Sequence, residues 1–124
     1  MALVVVSLFV SFIANFLGLN DLQKVSDRIT QIHAFSPFLI AYFLIVRVFA
    51  EEIFFRGFLV KYAGWFFSSV LFGLAHFAYG SIAEVLGAFV LGLLLAKAFE
   101  KNKNILPNFL AHFFYNLIFL VTIL

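Results

Sequence analysis

The chain has 124 residues, of which 65% are hydrophobic and 11% are charged, with 20 phenylalanines and a formal net charge of +2. A soluble domain is about half apolar and about a quarter charged, so this composition predicts an integral membrane protein. Eight basic residues scattered along the chain give no support for nucleic-acid binding. The absence of cysteine excludes disulfides, thiol nucleophiles and thiolate metal ligands.

Long apolar runs separated by short polar segments predict about five transmembrane helices, since about 20 apolar residues cross a bilayer as an α-helix. Over residues 20–36, apolar side chains spaced three and four apart predict a short amphipathic helix at the membrane interface. The whole chain, 1–124, is therefore predicted to be a single all-α, polytopic transmembrane helix bundle. The predicted spans are 2–19, 37–60, 65–79, 81–99 and 106–124.

Local signals at the helix ends refine these boundaries. Ser36-Pro37 is typical of a helix start. Ser81 to Glu84 fits a capping box, so Glu84 is predicted to cap its helix rather than to take part in catalysis. Ala88, Gly92 and Ala96 form a ridge of small residues that lets another helix approach closely, and such a ridge is also suited to a homodimer.

The basic residues of the loops predict the orientation in the membrane. The positive-inside rule places the side with more lysine and arginine in the cytoplasm. Four of these residues lie on the side of the N-terminus and two on the opposite side, so a multi-pass protein with a cytoplasmic N-terminus is predicted. The first group is Lys61, Lys97, Lys101 and Lys103, and the second is Lys24 and Arg28.

Two adjacent carboxylates lie in the second predicted span. Glu52 and Arg56 are four residues apart, so they share a helical face and can form an ion pair. Glu51 points about 100° away from Glu52 and is left for chemistry. Arg47 precedes Glu51 by one turn, and a direct ion pair between them would weaken Glu51 as a base.

Three further polar residues lie in later spans. His76 is in the third span, while His112 and Asn116 are four apart on one face of the fifth. Each alone is typical of helix–helix contact within a membrane. Together with the two glutamates, however, they form the kind of set that acid–base chemistry on a carbonyl needs.

These residues fall into three motifs, E-E-x-x-x-R, F-x-x-x-H and H-x-x-x-N, each within a hydrophobic run. The motifs and their order resemble those of the CAAX protease and bacteriocin-processing family, the Abi group of intramembrane endopeptidases, which includes the type II CAAX prenyl endopeptidase. A family-like catalytic core is thus expected over about 37–124. The motif residues are Glu51, Glu52 and Arg56, then Phe72 and His76, then His112 and Asn116.

The resemblance implies a peptidase that cleaves a peptide or protein substrate, prenylated in some members, at or near the membrane surface. It implies that Glu51 and His76 activate a water and that His112 and Asn116 form the oxyanion hole. Glu52 and Arg56, which complete the first motif, are assigned a supporting role.

Two alternatives stay open. Glu51, His76 and His112 could instead bind zinc, because two histidines and one glutamate form a known catalytic ligand set. We expect no cofactor, since no H-E-x-x-H is present and the family roles need no ion. The other alternative is a non-catalytic membrane protein, such as an immunity, scaffold or transporter subunit, in which the polar residues only join helices.

Overall fold

The computed structural model describes residues 12, 15, 16, 18 and 21–123, and every regular element in that part of the chain is helical, which confirms the all-α class. The first predicted span, 2–19, lies outside the described residues apart from four positions. The amphipathic helix predicted at 20–36 is present as α1. The elements are α1 (Leu22–Phe35), α2 (Pro37–Tyr42, Phe43–Arg47, Val48–Glu51 and Glu52–Val60 in succession), α3 (Lys61–Ala75), a 3₁₀ turn (His76–Tyr79), α4 (Ile82–Asn102) and α5 (Ile105–Ile123).

Two helices are long and apolar enough to cross a membrane by length and composition, Ile82–Asn102 in α4 and Ile105–Thr122 in α5. Five spans were predicted, so the described residues support fewer. α3 has only 15 residues, short of the about 20 that a bilayer requires. α2 is divided into four short segments of differing helical pitch. The structure agrees with a helical membrane protein, and the five-span topology stays a prediction.

α2 carries two stretches of π-helix, Phe43–Arg47 and Glu52–Val60. Backbone angles stay in the right-handed helical region at the junctions, so the four segments form one continuous rod. A π-turn widens the helix and disturbs its ladder of hydrogen bonds. The Ser68 hydroxyl of α3 donates to the carbonyl of Phe55 at 2.6 Å, which satisfies a buried oxygen in the longer stretch.

Glycines make the two reversals that follow. The break between the second and third predicted spans, 37–60 and 65–79, is confined to Gly64, whose φ of 83° lies in a region that favours glycine, while residues 61–63 remain helical. Gly80, with φ of 73°, ends the 3₁₀ turn. Because of these reversals, α3 packs between α2 and α4, its neighbours in sequence.

The small-residue ridge of α4 is buried inside the bundle. A Cβ added to Gly92 would lie 3.1 Å from the Phe72 ring and 3.3 Å from the Cα of Ser69, both in α3. Ala88 and Ala96 are 5% and 1% exposed. The ridge therefore serves packing within one chain, which corrects the suggestion that it is a dimer surface, and a homodimer would need another face.

The start of α4 is capped from two directions. Ser81 Oγ accepts the Glu84 N–H at 3.0 Å, so half of the predicted capping box is present. Within residues 21–123, the Glu84 carboxylate does not return a bond to Ser81. The carboxylate of Asp21, just before α1, takes its place: it accepts the N–H of Ile82 at 2.6 Å, that of Ala83 at 3.3 Å and the Ser81 hydroxyl at 2.9 Å.

These three hydrogen bonds to the Asp21 carboxylate make the stability of the fold depend on pH. Desolvation opposes the charged form of Asp21, but hydrogen bonds from Ile82, Ser81 and Ala83, with the charge of Lys24, hold its pKa below the usual value. A pKa that is lower in the folded state stabilises the fold above the unfolded-state pKa of about 3.9. That stabilisation is lost as the pH falls through the folded-state pKa.

Asp21→Asn is therefore expected to lower the free energy of unfolding at pH 7 by about 1 kcal/mol, as for loss of a helix cap. Thermal unfolding in detergent measures the effect, and the difference from wild type should shrink as the pH approaches 3. Asp27→Asn is the matched control, because Asp27 is exposed on α1 and, among the described residues, accepts only from Gln23. Equal unfolding midpoints for Asp21→Asn and wild type at pH 7 would show that the hydrogen bonds to Asp21 do not stabilise the fold.

Candidate active site

A cavity of about 100 Å³ lies between α1, α2, the 3₁₀ turn, α4 and α5. This volume can hold several water molecules. Three of the four predicted catalytic residues line it, Glu51, His76 and Asn116, whereas His112 does not. Apolar residues of α1, α2 and α5 form the rest of the wall, and α1 contributes Val25, Ile29 and Ile32. The polar lining residues are Arg47, Glu51, His76, Tyr79, Glu84 and Asn116.

Glu51 is held by an arginine of its own helix. Arg47 Nε donates to Glu51 Oε1 at 2.8 Å, and its Nη1 donates to the hydroxyl of Tyr79. On the other side, His112 Nε2 lies 3.9 Å from Glu51 Oε2, too far for a hydrogen bond. The four-residue spacing in the sequence indicated this Arg47–Glu51 ion pair, as one that would weaken Glu51 as a base, and the structure contains it.

His76 follows the end of α3, where the α-helix tightens into the 3₁₀ turn. The last carbonyls of a helix lack backbone partners, and His76 Nδ1 lies 2.8 Å from the carbonyl oxygen of Phe72. A carbonyl can only accept, so Nδ1 carries the hydrogen. In the neutral ring Nε2 is then an acceptor, suited to take a proton from a water.

Glu52 is fully buried and joins two partners. Its Oε1 accepts from His112 Nδ1 at 2.8 Å, and its Oε2 lies 3.3 Å from Arg56 Nε, so the predicted Glu52–Arg56 pair is formed. The Arg56 guanidinium carbon lies 4.2 Å from the centre of the Phe72 ring. Among the described residues, the Arg56 nitrogens have no partner in good hydrogen-bond geometry. The charge of Arg56 is therefore stabilised by the ion pair with Glu52 and by the face of the Phe72 ring.

His112 thus lies behind Glu51 instead of beside Asn116 on the cavity wall. Its side chain is 1% exposed, and Nδ1–H donates to Glu52. Nε2 can donate only when the ring is positively charged. Asn108, one turn before His112 on the same face, packs against α4, since its Nδ2 donates to the Leu95 carbonyl at 2.6 Å.

The residues proposed as zinc ligands do not converge into a ligand set. In the part of the chain that the structure describes, no group of three or more His, Cys, Asp or Glu side chains is arranged to hold a metal ion. Glu51 is paired with Arg47, and His112 is turned towards Glu52. The geometry of Glu51, His76 and His112 therefore does not fit a zinc site.

The sequence matches the family described as Type II CAAX prenyl endopeptidase Rce1-like over residues 33–118, more than half of the chain. The chain belongs to this family. No curated protein and no solved structure matches it. The Type II CAAX prenyl endopeptidase Rce1-like family is a protease family, so membership supports a peptidase, and together with the apolar helices α4 and α5 it supports membrane integration. The matched region contains every residue predicted for the site.

Proposed function

We propose that the chain is an intramembrane endopeptidase that hydrolyses peptide bonds with a water activated by Glu51 and His76. The observation that carries the proposal is that Glu51 of α2, His76 of the 3₁₀ turn and Asn116 of α5 line one cavity. Helix packing alone does not require three such polar residues to line the same cavity. Family membership supports the same class of reaction.

The water would lie between the Glu51 carboxylate and Nε2 of His76. As its oxygen bonds to the scissile carbonyl carbon, its proton passes to Glu51. The tetrahedral intermediate then collapses, the C–N bond breaks, and the proton passes on to the leaving amine. Binding the water between two acceptors in the cavity orients it for attack.

The carbonyl oxygen becomes negatively charged during this step and requires hydrogen-bond donors. The amide of Asn116 lines the cavity and is the first candidate. The resemblance assigns the second donor to His112, but its ring is oriented by Glu52 and lies outside the cavity lining, so Asn116 is the donor that the geometry supports. Arg56 in turn balances the charge of Glu52, which gives both motif residues the supporting role expected from the resemblance.

The proposed enzyme is a multi-pass membrane protein with a cytoplasmic N-terminus, in which α2 and α3 also lie within the bilayer. α2 supports this placement because it presents large exposed aromatic rings, Phe49, Phe54 and Phe58, at 45% to 52% exposure. Such a surface is suited to lipid. The substrate would be a peptide or protein at the membrane, with a prenyl group as an additional anchor.

A cleavage assay tests this function. Purified protein in liposomes is expected to cut a farnesylated peptide with a C-terminal CAAX sequence, and the products are identified by mass spectrometry. The same peptide without the prenyl group shows whether the lipid is recognised. Failure to cut any membrane-anchored peptide, with the protein folded, would favour the non-catalytic alternative.

In the same assay EDTA should leave the rate of cleavage unchanged. Activity restored specifically by zinc after EDTA treatment would contradict metal-free catalysis.

A further inference from the structure

Arg47 links the two elements that carry the proposed base and its partner histidine. Its Nε donates to Glu51 at 2.8 Å within α2, while Nη1 donates to the hydroxyl of Tyr79 in the 3₁₀ turn. Its side chain is one-third exposed, and it faces the cavity. A single guanidinium therefore contacts both sides of the site.

Tyr79 extends this connection to His76. The two rings are roughly parallel, with 6.0 Å between their centres and an angle of 28° between their planes. The guanidinium carbon of Arg47 lies 5.6 Å from the Tyr79 ring and 5.7 Å from the Phe43 ring, so it is held between aromatic faces. Glu51, Arg47, Tyr79 and His76 thus form one continuous series of contacts.

We propose that Arg47 and Tyr79 are positioning residues that hold Glu51 and His76 on opposite sides of the reacting water. This inference rests on the proposed peptidase function. The 3₁₀ turn is four residues long, and its cap Gly80 is exposed, so a side-chain connection to α2 is a direct means of fixing it. The planar guanidinium can donate to a carboxylate and a hydroxyl at once, which the single ammonium of lysine does with less definite geometry.

Charges around Arg47 agree with this role. Glu51 contacts it directly, and Glu84 of α4 lines the same cavity and interacts with it electrostatically. Between residues 21 and 123, no hydrogen bond or ion pair fixes the Glu84 carboxylate. Arg47 thus interacts with two acidic side chains and keeps one of them, Glu51, in a defined orientation.

Hydrogen exchange read by mass spectrometry tests the connection without a substrate. Arg47→Ala and Tyr79→Phe are each expected to speed exchange in the peptide containing His76–Tyr79, with α4 and α5 unchanged. Lys97→Ala is the matched control, because Lys97 pairs with Glu100 at 3.5 Å and lies over Trp65, away from the cavity. Unchanged exchange in the turn for both variants would overturn the inference.

Kinetics give the second readout. Arg47→Ala should lower kcat by about 100-fold with little change in KM, since misplacement by about 1 Å can cost that much. Arg47→Lys should restore part of the loss, and Arg47→Ala with Tyr79→Phe should lose less than the product of the single losses. Losses that multiply fully, or a change confined to KM, would contradict a shared positioning role.

The two measurements separate this inference from the proposed function. If wild-type protein cleaves nothing, the peptidase proposal fails, yet the exchange measurement still decides whether Arg47 and Tyr79 hold the turn. If wild type is active and Arg47→Ala retains full kcat, the positioning role fails while the peptidase proposal stands. Tyr79→Phe provides the exchange result even where Arg47→Ala does not fold.

Discussion

Glu51→Gln is expected to reduce turnover almost to nothing while the protein stays folded. Glutamine keeps the shape of the side chain and can still accept from Arg47, but it cannot take a proton from the attacking water. Loss of general-base catalysis alone is worth roughly 10² to 10⁴ in rate. The liposome assay measures kcat, and thermal unfolding in detergent verifies the fold.

The control for this variant should be a glutamate outside the cavity. Glu84 was predicted to be a simple cap, but it lines the same cavity as Glu51 and is therefore unsuitable. Glu100 is a better match, since it lies near the end of α4 and pairs only with Lys97 among the described residues. Full activity in Glu51→Gln, or an equal collapse in folded Glu100→Gln, would refute the assignment of Glu51 as base.

Arg56→Ala is expected to destabilise the fold by roughly 3–5 kcal/mol, because it leaves a buried carboxylate without its cation. Glu52 is 0% exposed and, among the described residues, would keep only the hydrogen bond from His112. The truncation also removes the guanidinium packed on Phe72. The midpoint of thermal unfolding in detergent measures the loss, and activity should fall with it.

Lys101→Ala provides the comparison for this second variant, since Lys101 is an exposed cation near the end of α4. Its unfolding midpoint should equal that of wild type. An Arg56→Ala midpoint equal to that of Lys101→Ala would show that the buried arginine contributes nothing to the fold.

Much of the architecture could be predicted from the chain alone. Apolar run lengths and the helix-start signal at Ser36-Pro37 predicted the helices after residue 36, because a run of about 20 apolar residues has few structural alternatives. The four-residue spacing of Glu52 and Arg56 predicted their pair, which helical periodicity makes almost obligatory. Three motifs in order also identified the family.

Features that depend on side-chain rotation and on neighbouring helices could not be predicted in this way. Periodicity places His112 and Asn116 on one face, yet the Glu52 carboxylate draws His112 away from the cavity. Local sequence fits Ser81 and Glu84 to a capping box, yet Asp21, sixty-one residues from Ile82, supplies the carboxylate in place of Glu84. The π-helical stretches of α2 likewise have no signal in apolar periodicity, because they depend on tertiary contacts.

The reversals at Gly64 and Gly80 have a consequence for how the molecule assembles. They make α2, α3 and α4 neighbours both in sequence and in space, so most of the apolar interface closes through short loops at small entropic cost. The pairs that complete the site span far longer loops, sixty residues between Glu52 and His112. Contact order therefore favours a helical scaffold that forms first and polar contacts that close last, and those contacts are the ones expected to open most readily in local unfolding.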